Sequence, residues 1–166
     1  MNSEECREHD ESSLRLRRLA RLFTASPVYF ITACTHERHP VLANADVHEA
    51  FHAFAENAAE RGAWVGRYVI MPDHIHLFVA IDAPLEFSRW VKSLKNTLSK
   101  ALRTRGTPAP HWQKGFFDHV LRSTESYSEK WRYMADNPLR AGLVADGDEW
   151  IYSGEIHPLR WQGREL

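Results

Sequence analysis

The sequence predicts an α+β fold: a ferredoxin-like antiparallel sheet of the order βαββαβ, followed by an additional C-terminal helix that carries a tyrosine. Strand-like segments alternate with two amphipathic helical segments, so that a strand–helix–strand unit occurs twice. Two of the strands are separated only by Met71, Pro72 and Asp73, which favours an antiparallel hairpin. The 166 residues fit one domain with a substantial core.

The elements follow in chain order. VYFITACT at residues 28–35 has the β-branched and aromatic content of a strand. Residues 45–62 place apolar side chains at helical spacing and end on a glycine. AWVGRYVI and HIHLFVAI, at 63–70 and 74–81, are strand-like. Residues 85–106 form a helix with an apolar stripe opposite a basic face, and residues 114–122 predict the fourth strand.

The last helix is predicted around WRYMADNP, residues 131–138. A capping-box pattern of Ser126 and Glu129 marks its start, and Pro138 disfavours helix in the residue before it. Residues 1–13 lack periodicity and are predicted to be a disordered N-terminus, and residues 14–166 are predicted to be a single domain.

Composition excludes several classes of protein. No apolar run approaches the roughly 20 residues that span a bilayer. The polar, acidic N-terminus is not a secretory signal, so a cytoplasmic protein without a membrane partner is expected. Cys6 and Cys34 alone form neither a disulfide framework nor a CxxC metal site.

Charge is concentrated in one part of the chain. The formal net charge is only −1, but the segment from Glu86 to Arg122 carries eight cations against two carboxylates, a net charge of +6. A local basic region of this kind can follow the phosphates of a nucleic acid. A solvated helix face would have the same composition, and charge alone does not separate the two interpretations.

Two histidines alternate with apolar residues in the third predicted strand. Because strand side chains alternate between faces, His74 and His76 share one face of the sheet. The opposite face is uniformly apolar and is predicted to pack on the two helices; it consists of Ile75, Leu77, Val79 and Ile81. Alternate residues lie about 6.8 Å apart, so two imidazoles can converge on one divalent cation. Hydrogen-bonded structural histidines show the same spacing, and the strand leaves both interpretations open.

The last predicted helix supplies Tyr133 and Asn137, which lie four residues apart on one helical face. The neighbouring stripe, predicted to be the packing face, consists of Tyr127, Trp131 and Met134. By itself this pattern is typical of a core aromatic and a helix-ending residue. An amide oxygen is nonetheless a suitable ligand for a hard cation. If this helix covers the histidine face of the sheet, Asn137 completes a two-histidine, one-amide site with Tyr133 one turn away.

Three segments together resemble the single-tyrosine HUH transposases, and most closely the REP-associated tyrosine transposases. They are YVIMPDHIHLFV, W-x-K-G-F-F-D-H-V-L-R and Y-M-A-D-N-P-L-R-A-G-L-V, in that order, and the resemblance spans about residues 29–144. HUH denotes histidine, hydrophobic residue, histidine, which here is His74, Ile75 and His76. The pattern His-x-His alone is weak, but a Tyr-x-x-x-Asn-Pro on a late helix makes it specific.

This resemblance implies an enzyme that cuts and rejoins single-stranded DNA through a 5′-phosphotyrosine. Carried over to this chain, it implies Tyr133 as nucleophile and His74, His76 and Asn137 as ligands of Mg²⁺ or Mn²⁺. Insertion-sequence relatives usually have glutamine in place of this asparagine. The expected partner is single-stranded DNA with hairpins or palindromic repeats, and the protein is expected to be a monomer or homodimer. The acidic N-terminus and near-neutral pI fit a DNA enzyme less well.

The basic face of the second helix and the segment after it would hold the DNA backbone. The candidate residues are Arg89, Lys92, Lys95, Lys100, Lys114 and Arg122, with Arg140 as a weaker candidate. Trp90 and Trp112 either stack on bases or pack as ordinary core aromatics. Two other functions stay open: a non-catalytic DNA-hairpin-binding protein of the same fold, and a zinc hydrolase that adds His119 to the histidine pair.

Overall fold

The computed structural model describes residues 27–82, 85–121 and 124–159. The helices and strands within them are, in chain order, β1 (Val28–Cys34), α1 (Ala45–Ala58), β2 (Ala63–Ile70), β3 (His74–Ile81), α2 (Phe87–Thr104), β4 (Phe117–Leu121), α3 (Thr124–Ala135), α4 (Asn137–Arg140) and β5 (Ser153–Glu155). Short 3-10 turns occupy His36–Arg38 and Ala59–Arg61. The predicted disordered segment, residues 1–13, lies outside the described residues.

The strands form one five-stranded antiparallel sheet in the order β4-β1-β3-β2-β5. The first four strands and the two helices between them have the βαββαβ connectivity of the predicted ferredoxin-like fold, which is confirmed. The hairpin between β2 and β3 is also confirmed, and its tight connection is closed by a 2.8 Å hydrogen bond from Met71 N to His74 O.

The two faces of the sheet have different cores. The predicted apolar side of β3 packs on α1 and α2, in a cluster that contains Phe51, Val91 and Leu98. On the other face α3 covers the sheet: the rings of Tyr127 and Phe78 lie 4.2 Å apart between centroids, and Met134 is fully buried. The tyrosine helix α3 therefore covers the histidine face, as the site prediction requires.

The C-terminal segment adds β5, which the sequence patterns did not predict. It pairs with the free edge of β2, and three residues are too few for a periodic signal. Gly66 in β2 makes room for the residues that follow β5, because a Cβ at this position would lie 2.6 Å from Cδ1 of Leu159. A glycine inside a strand typically marks such a close approach.

The ends of the tyrosine helix differ from the prediction. It begins at Thr124, so the capping-box interpretation of Ser126 is wrong. The chain turns at Asp136 and enters α4, where Pro138 occupies the first turn and its missing N–H costs no intrahelical hydrogen bond. The tyrosine helix thus ends at Ala135, slightly before the predicted end around Asn137, and Pro138 lies in the next helical turn. In the described part of the chain no helix is both long and apolar enough to cross a membrane.

Candidate functional site

The two histidines of β3 lie side by side at the start of the strand, next to β1. Their ring centroids are 4.6 Å apart and the ring planes are inclined by 79°. His76 is buried, with 8% of its surface exposed, and stacks on Phe30 at 5.5 Å. The β1–β3 register places Thr32 opposite His76 and Cys34 opposite His74. Strand pairing thus fixes both rings against the same part of β1.

Each imidazole has a hydrogen bond at Nδ1. His74 Nδ1 lies 2.6 Å from Asp73 Oδ1, and His76 Nδ1 lies 2.7 Å from Thr32 Oγ1. A carboxylate only accepts, so the proton of neutral His74 belongs on Nδ1 and the Nε2 lone pair is available. The Thr32 hydroxyl can accept from Nδ1–H of His76 in the same way. A hydrogen bond of one ring nitrogen to an outer partner is the usual arrangement of a metal-binding histidine.

Arg38 supports this arrangement from the turn after β1. Its Nε lies 2.8 Å from Asp73 Oδ2, and its Nη1 donates to Cys34 Sγ at 2.8 Å. Arg38 Nη2 also lies 3.3 Å from His74 Nδ1. The contact between His74 Nδ1 and Asp73 is shorter, and it assigns the imidazole proton to Nδ1. Glu37 and Arg38 adopt left-handed backbone conformations with φ of 50° and 59°, which such residues rarely adopt. The turn therefore holds a strained conformation beside the histidines.

Electrostatics keep both imidazoles neutral near pH 7. Burial, followed by the charges of His74, Arg38 and Arg140, lowers the pKa of His76 to about 3. Burial also lowers the pKa of His74, against the opposing effect of Asp73. Only a neutral imidazole has a lone pair for a metal, so the two rings are in the form that coordination needs.

The tyrosine helix brings a second group of side chains to this face. Tyr133 is 60% exposed, and Asn137 is half-buried at the start of α4. Arg140 joins them: its guanidinium carbon lies 4.1 Å from the Tyr133 ring centroid, and its Nη2 donates to Asn137 Oδ1 and, at 2.6 Å, to the Tyr133 carbonyl. The charge of Arg140 also reaches His76, since it lowers the pKa of that imidazole.

The residues present fit a divalent cation in part. The two neutral imidazoles, each hydrogen-bonded at Nδ1, can supply two nitrogen ligands, and an amide oxygen is a suitable third ligand. The oxygen of Asn137, however, is engaged by Arg140. Over the described ranges, no group of three or more His, Cys, Asp or Glu residues comes together as a metal site. Any ligand set here therefore needs the asparagine or groups from a bound molecule.

Comparison with known proteins gives the family. The sequence model described as "Transposase IS200 like" matches residues 25–131, more than half of the chain. The chain belongs to the IS200-like transposase family. The matched range includes both histidines and ends two residues before Tyr133.

Among curated relatives, this IS200-like chain is similar to a REP-associated tyrosine transposase of Escherichia coli K12, with 22% identity over 86% of this chain and 89% of the relative. A putative REP-associated tyrosine transposase of Haemophilus influenzae is 24% identical over 86% of this chain and 92% of its own length. These matches confirm the predicted resemblance.

Two solved structures share the fold. One is a REP-associated tyrosine transposase bound to a REP hairpin, with a TM-score of 0.65 and 21% identity over 86% of this chain and 88% of that one. The other is a putative transposase from Deinococcus radiodurans, with a TM-score of 0.51 and 18% identity over 67% and 90% of the two chains. At these identities the likeness concerns the fold.

The predicted DNA-binding cations of this IS200-like chain lie mostly on the far side of the sheet. The buried stripe of α2 packs on the face opposite the histidines, so the exposed Arg89, Lys92 and Lys100 point away from them. Arg89 pairs with Glu86 at 2.9 Å. Lys95 is half-buried, and its Nζ donates at 3.0 Å to the Gln113 carbonyl. Lys114 is exposed, and Arg122 lies outside the described residues. A DNA role for the set stays a prediction.

The structure also describes the predicted stacking tryptophans and the third histidine of the zinc alternative. Trp90 is buried in the core, so its ring is not free to stack on a base. Trp112 is partly buried against the same core and donates its Nε1 to Ser99 Oγ at 2.9 Å, and its stacking on a base stays a prediction. His119 is exposed on β4 and pairs in register with Phe30. It does not join His74 and His76 in a three-histidine group. The geometry therefore gives no support to the zinc hydrolase.

Four residues of the site were missed by the sequence interpretation. Asp73 directly precedes the histidine pair, a position from which a carboxylate can reach the neighbouring ring. Thr32 and Arg38 depend on the pairing of β1 with β3, which no local pattern reveals. Arg140 is predicted from the sequence only as a DNA contact, although its spacing of three from Asn137 also indicates that the two side chains meet.

Proposed function

We propose that this transposase-family chain cuts and rejoins single-stranded DNA through a 5′-phosphotyrosine on Tyr133, with help from a divalent cation. One observation carries the proposal: α3 packs on the histidine face of its own sheet, where Arg140 contacts Tyr133 and Asn137 and its charge reaches His76. This packing supports a tyrosine that acts on the site of its own chain.

In the forward step, Tyr133 Oη forms a bond to the scissile phosphorus while the bond from phosphorus to the 3′ oxygen breaks. The phenolic proton is lost, and the departing 3′ oxygen gains a proton to become a free hydroxyl. In the return step a 3′ hydroxyl attacks the phosphotyrosine and the phenol leaves. A phenol has a pKa near 10, far below that of an alcohol, so it leaves readily and rejoining needs no ATP.

A cation bound by His74, His76 and Asn137 would supply charge neutralisation at the phosphate and at the departing oxygen. Mg²⁺ and Mn²⁺ are the candidates, and Mn²⁺ accepts nitrogen ligands more readily. The chain's own part is to keep both imidazoles neutral by burial and to orient them through hydrogen bonds to Asp73 and Thr32. The exposed Tyr133 meets an incoming strand without rearrangement of the core.

The DNA partner is proposed to contain a hairpin or palindromic repeat beside the single strand, since one relative of the same fold is bound to a REP hairpin. The cations near the histidine face include Arg38, Arg140 and Lys130, whose Nζ lies 5.2 Å from the Phe30 ring centroid. These would hold the reacting strand. The exposed cations of α2, on the far face, would contact a different part of the DNA.

The test is incubation with a single-stranded oligonucleotide that contains a hairpin, in Mn²⁺. A covalent protein–DNA adduct is expected, and it should disappear in Tyr133→Phe, which removes only the exposed hydroxyl. An adduct that persists in Tyr133→Phe would show that the nucleophile is another residue. Absence of any adduct in the wild type, with hairpin binding intact, would favour the non-catalytic hairpin-binding protein.

A further inference from the structure

Arg140 engages the amide oxygen of Asn137, which the proposed cation would need as a ligand. Its guanidinium donates to Asn137 Oδ1, the amide oxygen proposed as the third metal ligand, and lies over the face of the Tyr133 ring at 4.1 Å. The same side chain donates to the Tyr133 carbonyl at 2.6 Å, so it also connects the end of α3 to α4 across the turn at Asp136. One exposed cation thus contacts both the proposed nucleophile and the proposed ligand.

The two partners of Asn137 exclude each other on electrostatic grounds. A divalent cation on Oδ1 would lie within a few ångströms of a guanidinium held on the same oxygen, and like charges at this separation repel strongly. A guanidinium is also the side chain best suited to phosphate, because its fork of N–H donors matches two phosphate oxygens. When a phosphate arrives at this face, Arg140 therefore has a better partner than the amide.

We propose that Arg140 is a positioning residue that holds Asn137 and Tyr133 in the DNA-free protein and transfers to the scissile phosphate when DNA binds, which releases Asn137 for the metal. This inference rests on the proposed function. It makes metal and DNA binding mutually dependent: DNA raises the affinity for metal, and by linkage metal raises the affinity for DNA by the same factor. It also explains how an amide already engaged by a cation can serve as a ligand.

The test measures Mn²⁺ affinity by titration calorimetry, with and without an uncleavable hairpin oligonucleotide. In the DNA-free protein, Arg140→Gln is expected to bind Mn²⁺ about 3- to 10-fold more tightly than wild type, because a repelling charge is removed and Asn137 Oδ1 is released. The same variant should lose most of the gain in Mn²⁺ affinity that DNA gives the wild type, and its single-turnover cleavage should fall about 10-fold or more. A residue with only a structural role would not move these quantities in opposite directions.

Two further variants complete the test. Asn137→Ala should weaken Mn²⁺ binding, and in this background Arg140→Gln should no longer strengthen it, as a double-mutant cycle reports. Arg140→Lys keeps the charge but loses the fork, so its Mn²⁺ affinity should lie between those of wild type and Arg140→Gln while its cleavage stays low. Thermal melts of all variants establish that they are folded.

Unchanged or weaker Mn²⁺ binding by folded Arg140→Gln would overturn the inference and leave Arg140 as a helix-connecting residue. Failure of the proposed function is a separate result. If the wild type forms no adduct while Arg140→Gln still gains Mn²⁺ affinity and loses the DNA-induced increase, the competition at Asn137 stands and the catalysis does not. If the adduct forms but Mn²⁺ affinity does not respond to Arg140, the catalysis stands and the competition does not.

Discussion

Two histidine pairs in the described part of the chain have nearly the same internal geometry. In β3, the rings of His74 and His76 lie 4.6 Å apart and are inclined by 79°; in α1, those of His48 and His52 lie 4.7 Å apart at 84°. The pairs differ in which nitrogens are engaged. The strand pair has its Nδ1 atoms on Asp73 and Thr32, whereas both Nε2 atoms of the helix pair contact the hydroxyl of the buried Tyr68, at 2.8 and 2.6 Å.

This difference separates a candidate metal site from a structural network. A hydroxyl donates one proton and accepts others, so Tyr68 Oη donates to one imidazole of the helix pair and accepts from the other. The nitrogens that converge there satisfy a buried phenol. In the strand pair the hydrogen bonds are at Nδ1, and with the protons on these atoms the Nε2 lone pairs are the ones left for a metal. The spacing and the angle between the rings do not distinguish the two pairs. They are distinguished by the hydrogen-bond partner of each ring nitrogen.

The largest expected effect tests the strand pair against the helix pair directly. His76→Ala should reduce metal-dependent cleavage by about 1,000-fold or more, because it removes a ligand of the proposed cation. His52→Ala, which removes one imidazole from Tyr68, should leave cleavage within about twofold of wild type. Single-turnover cleavage of a hairpin oligonucleotide in Mn²⁺ measures both. Equal losses in the two folded variants would contradict the distinction.

Hairpin binding provides the control for His76→Ala. Its DNA affinity, measured by fluorescence anisotropy without metal, should stay close to that of wild type, since no DNA contact is removed. If this variant fails to fold, the main role of His76 is in the core. Its part in metal binding is then measured with His76→Gln, which keeps more of the side-chain volume.

The second prediction concerns the outer partner of His74. Asp73→Asn keeps the side chain nearly the same size but replaces the carboxylate that fixes the proton on Nδ1. Mn²⁺ affinity and cleavage should both fall about 10- to 100-fold, the usual consequence of losing an outer hydrogen bond to a metal-binding histidine. Mn²⁺ titration and cleavage assays measure this. An effect on stability alone would mean that Asp73 serves Arg38, its 2.8 Å partner, more than His74.

What the sequence predicts well is what repeats along the chain. The predicted strands 63–70 and 74–81 have the same bounds in the structure, because alternation and a tight turn define them. The three-residue β5 has no period to detect, and it docks on β2 through Gly66 and Leu159. The predicted start of α3, at Ser126, is two residues later than the observed start at Thr124, because a capping-box pattern also occurs inside helices.

The residues of the candidate site also fall into two groups, those that a local pattern predicts and those that only the strand register brings close. The strand period places His74 and His76 on one face, and that placement is confirmed, but their partners Thr32 and Arg38 come from β1 and the turn after it, which only the register brings close. The basic stripe of α2 was visible in the sequence, but nothing local tells which face of the sheet the helix covers. Long-range pairing and the choice of face are properties of the assembled sheet.

The third prediction uses pH. The folded pKa of His76 is about 3, below the ordinary value of 6.5, so between these values the unfolded chain binds more protons than the folded one. The stability that His76 contributes is therefore fully present above pH 6.5 and is lost as the pH falls toward 3. At pH 5 the free energy of unfolding should be lower by about 2 kcal/mol than at pH 7, measured by urea titration in chelator.

A matched pair of variants assigns this pH dependence. His76→Gln should remove most of the difference between pH 7 and pH 5, since glutamine does not titrate. His52→Gln should retain it, because the surroundings of His76 are unchanged. If the slope persists in His76→Gln, acid sensitivity belongs to other groups, of which the neighbouring His74, with its pKa also lowered by burial, is the first to examine.

The smallest effect is expected from the phenol at the centre of the helix pair. Tyr68→Phe leaves His48 and His52 without their shared partner, but both rings are partly exposed and water can replace the lost contacts. The free energy of unfolding should fall by about 1 kcal/mol, seen as a lower melting temperature, with Mn²⁺ affinity unchanged. Tyr133→Phe is the matched control, since its exposed hydroxyl should add nothing to stability while the covalent adduct depends on it. A loss of Mn²⁺ affinity in Tyr68→Phe would mean that the helix pair also binds metal, and that the nitrogen partner does not separate the two pairs.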